Sequence, residues 1–465
     1  MKFYNREQEF ELFDNISMNA GFKLVVIYGR RRIGKTRLVR EFLKSKDFAY
    51  VFVPKYKTKN LFLEEISQNL GIPRFTTVYD LVKFLFETKK YIFFDEFQNF
   101  YHIDKGIYSD FQQLIDEYKS MEKDTKVFIS GSSFSLMKKT FVDYAHPLYG
   151  RADVLLKLPP FDLNTVQTIL ADNNIKSKEE LIRYYAVFGG IPKYYEFLEM
   201  PEASSFEELA KLLFFEKRMP LLKDEGRTVL VSEFGGEYRT YFSILEAIAG
   251  GRSTLSQIAD IFEGKSTVAT RYLDILRKEY EVVVRETPIT EDPRKSRSGI
   301  YKIRDPFLRF WFAFVKRYES YYEQDRTTEL FNFFNKNFDA FVGFAFEDMA
   351  KGFLEKNSNL LPFSFDKIGR QWGKIRGAPK GKNTYEIDIV ALNNDTKEIL
   401  FVECKWKDIN ERDADKILAD LKEKSCFVQW NNDDRKEYFG LVARKIKGKQ
   451  RLREKGLVVL DLDDI

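Results

Sequence analysis

Residues 23–36 read KLVVIYGRRRIGKT and decide how the first part of the chain folds. The run KLVVIY is mostly apolar and β-prone, which predicts a strand buried on both faces of a parallel sheet. A glycine-containing loop follows at once, and the amphipathic sequence after it predicts a helix. This order of strand, loop and helix, with the spacing G-x-x-x-x-G-K-T, predicts a loop whose backbone N–H groups surround the phosphates of a nucleotide.

Individual residues of this loop have separate predicted roles. Lys35 is expected to reach the β- and γ-phosphate oxygens, and the Thr36 hydroxyl is expected to bind Mg²⁺. The loop and the first helical turn supply further candidates for nucleotide contact: Gly29, Arg32, Ile33, Gly34 and Arg37. The alternative is a glycine turn rich in surface arginines, which the strand–loop–helix context disfavours. We therefore expect ATP and Mg²⁺ as cofactors.

A second segment, YIFFDEFQNF at 91–100, predicts a strand that ends in two acidic residues. Asp95 would hold Mg²⁺ directly or through water, and Glu96 would polarise the water that attacks the γ-phosphate. The alternative is a strand ending in a solvated acidic turn, which is disfavoured by the phosphate-binding loop upstream. The pair predicts hydrolysis in addition to binding.

A third segment, KVFISGSS at 126–133, predicts another strand that ends in small polar residues. Ser132 or Ser133 is expected to contact the γ-phosphate or the attacking water, although an ordinary serine-rich turn has the same pattern. No convincing base-reading N-K-x-D sequence follows the acidic strand. The sequence therefore favours an ATPase over a GTPase.

These motifs together resemble the archaeal ATPases of the STAND and AAA+-related P-loop class, over about the first 200 residues. The segments that carry the resemblance are YNREQEFELF, YGRRRIGKT, FFDEFQ, FISGSS, LYGRADVLLKLPPF and FGGIPKYY. The resemblance implies that Arg151 stabilises charge during hydrolysis and that Pro192 packs near the adenine. A surface arginine and a turn between helices are the alternatives for these two residues.

The composition predicts several globular domains in a chain of 465 residues with 45 Phe and 25 Tyr. The net charge is only +5, so any nucleic-acid surface must be local. The chain has only two Cys and no long apolar run, so we expect a cytoplasmic protein without membrane helices. Its two His argue against a histidine-rich zinc site and favour a hard, oxygen-bound metal.

The middle of the chain, 241–280, contains three apolar-periodic segments separated by GGRST and EGKST. Ser253 or Thr254 and Ser266 or Thr267 are expected to cap the second and third helices. The sequence EVVVRETPITEDPRKSRSGIYKI then predicts a hairpin. The order of these elements predicts a winged helix-turn-helix.

In such a fold the third helix, about 266–278, enters the major groove while the wing contacts phosphates. The basic candidates for these contacts are Lys265, Arg271, Arg277, Arg294, Lys295 and Arg297. Asp274 on the same helix weakens a DNA assignment, and a rigid arm or a protein-interaction module is the alternative. The aromatic stretch DPFLRFWFAFVKRYESYYEQ after the wing fits a stacking platform for single strands, but we expect it to be core.

Two strands near the end of the chain place acidic and basic residues together. TYEIDIVAL at 384–392 and EILFVECKWK at 398–407 are joined by the turn NNDTK, which predicts a hairpin. Asp388, Glu403 and Lys405 then share one place on it, and a helix at 345–356 could add Glu347. Two carboxylates can hold a hard divalent ion, and Lys405 can position the attacking water.

This arrangement resembles the PD-(D/E)xK nuclease superfamily over about 335–465, with Asp388 as the first acid and Glu403-Cys404-Lys405 as the E-x-K element. Ile387 stands where that superfamily has a proline. The resemblance implies Mg²⁺ or Mn²⁺ bound by Glu347, Asp388 and Glu403, with catalysis by Asp388, Glu403 and Lys405. An inactive DNA-binding module and a solvated hairpin face are the alternatives, and the basic tail ARKIKGKQRLREK is either a nucleic-acid contact or a solvated face.

The sequence thus predicts an α/β chain with a P-loop parallel sheet and a C-terminal α/β restriction-endonuclease-like domain. The expected parts are a P-loop ATPase core (1–160), a helical lid (161–232), a winged helix (233–305), a helical connector (306–334) and the nuclease-like domain (335–465). The expected function is ATP hydrolysis coupled to metal-dependent DNA cleavage. The alternative is a STAND-type regulatory ATPase that binds DNA or protein without cutting, alone or as a homo-oligomer.

Overall fold

The computed structural model describes residues 2–200, 205–216, 222–235, 238–379 and 381–465. The chain divides into two compact units. The first comprises Met1–Thr165, Gly190–Glu199 and Val229–Gly235, and the second comprises Val166–Gly189, Met200–Thr228 and Gly236–Ile465. Among the described residues, no helix has the length and apolar character needed to cross a membrane.

The first 165 residues alternate between helices and strands. The elements are α1 (Glu7–Met18), β1 (Lys23–Tyr28), α2 (Lys35–Leu43), β2 (Phe48–Phe52), α3 (Lys59–Leu70), α4 (Val78–Thr88), β3 (Tyr91–Asp95), α5 (Phe100–Ile103), α6 (Ile107–Ser120), β4 (Lys126–Gly131), α7 (Phe134–Val142) and β5 (Val154–Lys157). The predicted strands KLVVIY, YIFFD and KVFISG are therefore present as β1, β3 and β4.

The five strands form one parallel sheet in the order β2-β3-β4-β1-β5. Strand β4 lies between β1 and β3, so the loops after all three strands leave from the same edge of the sheet. Both faces are covered, and β4 is buried along its whole length. This α/β fold with a parallel sheet is typical of P-loop ATPases, and it brings the three sequence motifs to one edge.

Helices dominate residues 163–278. They are α8 (Leu163–Asp172), α9 (Lys178–Phe188), α10 (Pro192–Tyr195), α11 (Phe206–Ala210), α12 (Glu225–Phe234), α13 (Tyr238–Ala249), α14 (Leu255–Ala259) and α15 (Ser266–Lys278). The antiparallel strands β6 (Val283–Glu286) and β7 (Ile300–Ile303) follow. Three helices and a hairpin thus occur in the order expected for a winged helix, which remains a prediction.

The caps of these helices differ from the prediction at one position. Thr254 caps α14 and forms a capping box with Gln257, as one of the two alternatives predicted. Helix α15 begins at Ser266 itself, and the residue before it, Lys265, makes no side-chain capping bond. The expected serine or threonine cap of the third helix was therefore wrong, because Ser266 already lies inside the first turn.

The aromatic stretch after the hairpin is core. It forms α16 (Pro306–Phe310), a π-helical turn at Trp311–Val315 and α17 (Glu319–Glu323). Phe307, Phe310 and Trp311 are buried, and Phe310 contacts the rings of Phe334 and Phe338. These buried rings are unavailable for base stacking, so the interpretation as packing is the one that the structure supports.

The last part of the second unit is a long helix and a mixed sheet. Its elements are α18 (Thr327–Lys356), β8 (Lys367–Lys374), β9 (Thr384–Asn393), β10 (Glu398–Ile409), α19 (Glu411–Ser425), β11 (Lys436–Ile446), α20 (Lys449–Glu454) and β12 (Val458–Leu460). The strand order is β12-β11-β10-β9-β8. Strands β9 and β10 form the predicted antiparallel hairpin, and the predicted boundary at 334/335 falls inside α18.

One backbone approach in the first unit leaves no room for a side chain. A Cβ at Gly190 would lie 1.8 Å from the carbonyl oxygen of Phe161, whose N–H donates to the Gly190 carbonyl at 2.8 Å. We expect Gly190→Ala to lower the free energy of unfolding by roughly 2 kcal/mol or more, as at other overpacked sites. In Gly352→Ala, by contrast, the new methyl meets nothing within 4 Å inside α18, so stability should rise by up to about 1 kcal/mol.

Thermal unfolding followed by circular dichroism compares the two variants with the wild type. A lowered midpoint in Gly190→Ala together with an unchanged or raised midpoint in Gly352→Ala is the expected result. Equal midpoints in both variants would contradict the proposed backbone constraint.

Candidate functional site

The loop between β1 and α2 has the backbone conformation expected of a phosphate-binding loop. Arg32 and Gly34 both have positive φ, 69° and 93°, and α2 begins at Lys35 directly after Gly34. A Cβ at Gly29 would lie 2.9 Å from the Leu158 carbonyl oxygen. Successive N–H groups at a helix N-terminus favour an anion, so this loop is suited to phosphate.

Lys35 is held inside the loop. Its ammonium donates to the carbonyl oxygens of Gly29 and Arg30 at 2.8 and 3.0 Å. Burial lowers the pKa of Lys35 to about 8, and the carboxylates of Glu96, Asp95 and Glu233 act against that shift. The carboxylates therefore offset part of the cost of burying the ammonium charge.

Thr36 and Asp95, the two predicted Mg²⁺ ligands, are in contact. The Thr36 hydroxyl donates to Asp95 Oδ2 at 2.8 Å. Tyr50 donates to the same oxygen at 3.1 Å, and Ser130 donates to Oδ1. A hydroxyl and a buried carboxylate are hard oxygen donors, which fit Mg²⁺. The structure thus brings the predicted ligands together from the first turn of α2 and the end of β3.

Glu96 occupies an unusual backbone conformation next to Asp95. Its φ and ψ are 59° and 41°, in the left-handed region that costs a non-glycine residue about 1 kcal/mol or more. Its Oε2 accepts hydrogen bonds from Ser132 and Gln98, each at 2.6 Å. The two predicted groups, Glu96 and Ser132, are therefore joined at the carboxyl ends of β3 and β4.

Glu233 is a site residue that the sequence did not indicate. Its carboxylate accepts from Ser133 Oγ at 3.4 Å and from the Phe134 N–H at 3.3 Å, at the N-terminus of α7. Burial raises the pKa of Glu233 to about 7. No motif marks it, because it lies 100 positions beyond Ser133 in the chain and reaches the site only through folding.

Pro192 lies near the loop, as the resemblance implied. Its Cγ is 3.9 Å from the position of a Cβ at Gly34. A small cavity beside it is lined by Phe3, Tyr4, Arg6, Ile33, Arg37 and Phe161 among others. The sequence did not single out Phe3, Tyr4 and Phe161, whose rings give this cavity of about 20 Å³ an aromatic wall.

Arg151 forms a surface pair. Its guanidinium donates to both carboxylate oxygens of Asp116, at 2.9 to 3.3 Å, and to the Tyr149 carbonyl at 3.1 Å. Among the described residues these are its side-chain hydrogen-bond partners, and they leave it out of hydrogen-bond contact with Lys35 and Glu96. The charge-stabilising role implied for Arg151 therefore stays a prediction.

In the second unit, the β9–β10 hairpin brings Asp388, Glu403 and Lys405 together. The Cys404 N–H donates to Asp388 Oδ2 at 2.8 Å. The Lys405 ammonium lies 2.7 Å from Glu403 Oε1 and 3.9 Å from Asp388 Oδ2. The predicted juxtaposition of two carboxylates and one ammonium is present, and Glu403 is buried.

A second lysine, which the sequence did not indicate, completes this group. Lys424 on α19 donates to Glu403 Oε1 and Oε2 at 3.1 and 3.2 Å. The Glu403 carboxylate therefore lies between two ammonium groups, those of Lys405 and Lys424. The sequence gives no signal for Lys424, because α19 is rich in charged residues and none of them stands out by its spacing.

Glu347 has a different partner from the one expected. Its carboxylate forms an ion pair with Arg370 on β8, which also contacts Glu386 at 3.3 Å. In the part of the chain that the structure describes, no group of three or more His, Cys, Asp or Glu side chains is arranged to hold a metal. The hard donors that lie together here are the carboxylates of Asp388 and Glu403.

The basic residues predicted to contact nucleic acid differ in their exposure and in their ion pairs with acidic side chains. In the loop between β6 and β7, Arg294, Lys295 and Arg297 are exposed, and Arg294 pairs with Asp292 at 3.5 Å. On α15, Arg277 pairs with Asp274 at 2.9 Å. The basic tail is largely paired with acidic groups, through the contacts of Arg444, Lys449, Arg451 and Arg453 with Asp408, Glu179, Asp461, Asp464, Glu411 and Asp415. The basic residues of the β6–β7 loop are therefore more exposed than the paired residues of the tail.

Two family models match the chain. Residues 3–198 match a family described as an ATPase domain predominantly from Archaea, and residues 311–417 match a family described as archaeal and bacterial proteins of unknown function. The chain is also 35% identical, over 467 aligned residues, to the uncharacterized protein MJECL04 of Methanocaldococcus jannaschii, with 99% of both chains covered. The chain therefore belongs to the family of this relative, with an archaeal ATPase domain at 3–198. It combines a P-loop ATPase domain with a C-terminal sheet domain.

Similar solved structures include two archaeal proteins. The Walker-type ATPase PABY2304 of Pyrococcus abyssi is 20% identical, with a TM-score of 0.49 over 67% of this chain and 96% of that chain. The ORC2 protein of Aeropyrum pernix, in its ADPNP–ADP complexes, is 17% identical, with a TM-score of 0.42 over 71% of this chain and 95% of that chain.

The buried carboxyl of Asp388 should make the stability of the fold depend on pH. Burial, followed by the nearby Glu403 carboxylate, raises the pKa of Asp388 from 3.8 to about 6. A raised pKa means that the folded state holds the proton more tightly, so Asp388 stabilises the fold at low pH and loses that contribution as pH rises through about 6. Asp388→Asn should therefore be more stable than wild type at pH 8, by roughly 1–3 kcal/mol.

Urea unfolding at pH 5 and pH 8 measures this difference. The advantage of Asp388→Asn should grow from pH 5 to pH 8. Glu386→Gln, on the same strand but exposed, is the matched control and should show no such growth. An advantage that does not change with pH would contradict the assignment of the burial cost to the Asp388 carboxylate.

Proposed function

We propose that the first unit hydrolyses ATP at the loop between β1 and α2. Lys35 binds the β- and γ-phosphates, Thr36 and Asp95 hold Mg²⁺, and Glu96 orients the attacking water. Ser132 positions Glu96 through its 2.6 Å hydrogen bond. The observation that carries this proposal is the 2.8 Å contact between Thr36 and Asp95, because these residues come from separate motifs and both are suited to one Mg²⁺.

The other nucleotide contacts follow from the same loop. The backbone of Gly29, Arg32, Ile33 and Gly34 surrounds the phosphates, and Arg37 and Pro192 line the adjoining cavity. We propose that the adenine binds beside Pro192, where the side chains around this cavity of about 20 Å³ move apart to admit it. Mg²⁺, when bound, neutralises charge on the β- and γ-phosphates.

Two substitutions separate binding from hydrolysis. Lys35→Ala removes the buried ammonium and should abolish detectable ATP binding. Glu96→Gln keeps the side-chain shape but loses the carboxylate charge, so it should bind ATP and hydrolyse it about 100-fold or more slowly. Binding is measured by isothermal titration calorimetry, and turnover is measured by phosphate release.

Lys44→Ala is the matched control for Lys35→Ala, since Lys44 lies at the end of the same helix and its side chain is 75% exposed. It should behave as the wild type. Wild-type turnover in Glu96→Gln would refute the assignment of Glu96, and wild-type ATP affinity in Lys35→Ala would refute the site.

We propose further that the second unit cleaves DNA with a divalent metal. Asp388 and Glu403 are the carboxylates that would bind Mg²⁺ or Mn²⁺, with Glu347 as a further ligand once it leaves Arg370. Lys405 would hold the attacking water and balance charge on the phosphate. The contact of Lys405 with both carboxylates, at 2.7 and 3.9 Å, carries this proposal.

The wing supports DNA as the substrate. Within the second unit, the Ile289 N–H donates to the Arg370 carbonyl at 2.9 Å, and Trp372 donates to the Ser298 carbonyl at 3.1 Å. A cavity of about 540 Å³ is lined both by residues of the wing and by Asp388. The exposed basic tip of the wing is thus attached next to the candidate cleavage site, where it can contact phosphates.

Cleavage of supercoiled, linear and single-stranded DNA in Mg²⁺ or Mn²⁺ tests this assignment. Lys405→Ala and Asp388→Ala should abolish cleavage while ATP turnover continues, because the two sites use different residues. Lys407→Ala, two positions further along the same strand, is the matched control and should cleave normally. Undiminished cleavage by Lys405→Ala would mean that the nuclease assignment is incorrect.

A second function is favoured by the arrangement around Glu403. Two ammonium groups already compensate its carboxylate, and a metal would have to displace one of them. This observation favours a regulatory ATPase that binds DNA or protein without cutting. Nucleotide turnover with no cleavage under any metal condition, and with DNA binding retained, would establish this alternative.

A further inference from the structure

The carboxylate of Glu233 occupies the place where a terminal phosphate is expected. The strand β4 ends beside the phosphate-binding loop, and its serines were predicted to contact the γ-phosphate. In the structure, the Ser133 hydroxyl and the Phe134 N–H donate instead to Glu233, at 3.4 and 3.3 Å. These two donors lie at the N-terminus of α7, a position that favours an anion. The Glu233 side chain therefore already accepts the hydrogen bonds that a phosphate would accept there.

The charges around the loop show why a charged Glu233 would affect ATP binding more than ADP binding. Three carboxylates, those of Asp95, Glu96 and Glu233, interact with the single ammonium of Lys35. The γ-phosphate of ATP would bring further negative charge to this end of the site, whereas ADP ends at the β-phosphate. Buried like charges repel strongly because little water screens them. The cost of a charged Glu233 therefore falls on ATP much more than on ADP.

We propose that Glu233 is the residue that sets the preference between ATP and ADP, by competing with the γ-phosphate for the donors at the start of α7. ATP then binds only when Glu233 is neutral or has moved away, and ADP binds with Glu233 in place. This proposal rests on the nucleotide site proposed above.

The surroundings of Glu233 make the competition depend on pH near neutrality. Lys35 faces it from the phosphate-binding loop and Glu96 faces it from the end of β3, while α7 presents the Phe134 N–H and the Ser133 hydroxyl. Burial raises the pKa of Glu233 to about 7. Glu233 is thus largely neutral at pH 6, when it does not repel a phosphate, and largely charged at pH 8, when it does.

The test is the affinity of the full-length protein for ATP and for ADP, each with Mg²⁺, at pH 6 and pH 8. In the wild type, the ratio of ATP affinity to ADP affinity should fall about tenfold from pH 6 to pH 8, which corresponds to about 1.4 kcal/mol. In Glu233→Gln the ratio at pH 8 should be about tenfold higher than in the wild type and should change less with pH. Ionisation of the nucleotides is the same for both proteins, so the difference between them isolates Glu233.

Glu180→Gln is the matched control. Like Glu233, Glu180 is half-buried, and burial raises its pKa. Its carboxylate also accepts a hydrogen bond at a helix start, from the Phe206 N–H of α11 at 2.6 Å. Its replacement should leave the ratio as in the wild type. ADP affinity that is unchanged within about twofold shows that Glu233→Gln has kept its fold. Because Lys35 has a pKa of about 8 and also titrates in this range, only the difference between the two proteins is assigned to Glu233.

A ratio in Glu233→Gln equal to that of the wild type at both pH values would overturn the proposal. So would loss of hydrolysis in this variant with unchanged ATP affinity, since Glu233 would then act in catalysis and not in discrimination. Absence of binding of either nucleotide to the wild type would instead refute the proposed nucleotide site, and with it this inference. These results are distinguishable because the first two require a protein that binds nucleotide.

Discussion

The carboxylate of Asp95 is the group around which the first unit is organised. It is only 3% exposed, and a buried charge is tolerated only when its oxygens are well provided with hydrogen-bond donors. The donors come from Thr36, Tyr50 and Ser130, together with the N–H of Glu96. They lie on α2, β2 and β4 and directly after β3, so the strands must stand in one order for Asp95 to be satisfied. The position of β3 between β2 and β4, with β1 next to β4, provides that order.

The same constraint recurs in the C-terminal sheet with a different solution. Glu403 is buried on β10, and two ammonium groups compensate it, one from its own strand and one from α19. Asp388 has a backbone N–H as its hydrogen-bond donor, and its pKa is raised in consequence of burial. Such arrangements stabilise a fold poorly. Buried carboxylates of this kind occur in both halves of the chain, at the two sites for which chemistry is proposed.

Local sequence was most informative where a residue's role depends on its own segment. The loop from Gly29 to Thr36 was predicted, since spacing alone places the backbone N–H groups and Lys35; the roles of its residues stay proposals. The hairpin that joins Asp388 to Glu403 was also predicted, because the alternation of apolar and polar residues sets which side chains share a face. The cap of α15 was not, because a Ser or Thr serves equally as a cap or as a first-turn residue.

The strands, the phosphate-binding loop and the acidic residues at the strand ends could be predicted from the sequence, because they depend on side-chain periodicity and short spacings. The folded structure was needed to show that Glu233 lies at the first site and Lys424 at the second. It was also needed to show that Glu347 pairs with Arg370 and that Arg151 pairs with Asp116. The physical reason is the range of the interactions. Hydrogen bonds and ion pairs act over a few ångströms in space, and residues far apart in the chain reach that distance only after the strands and helices have packed.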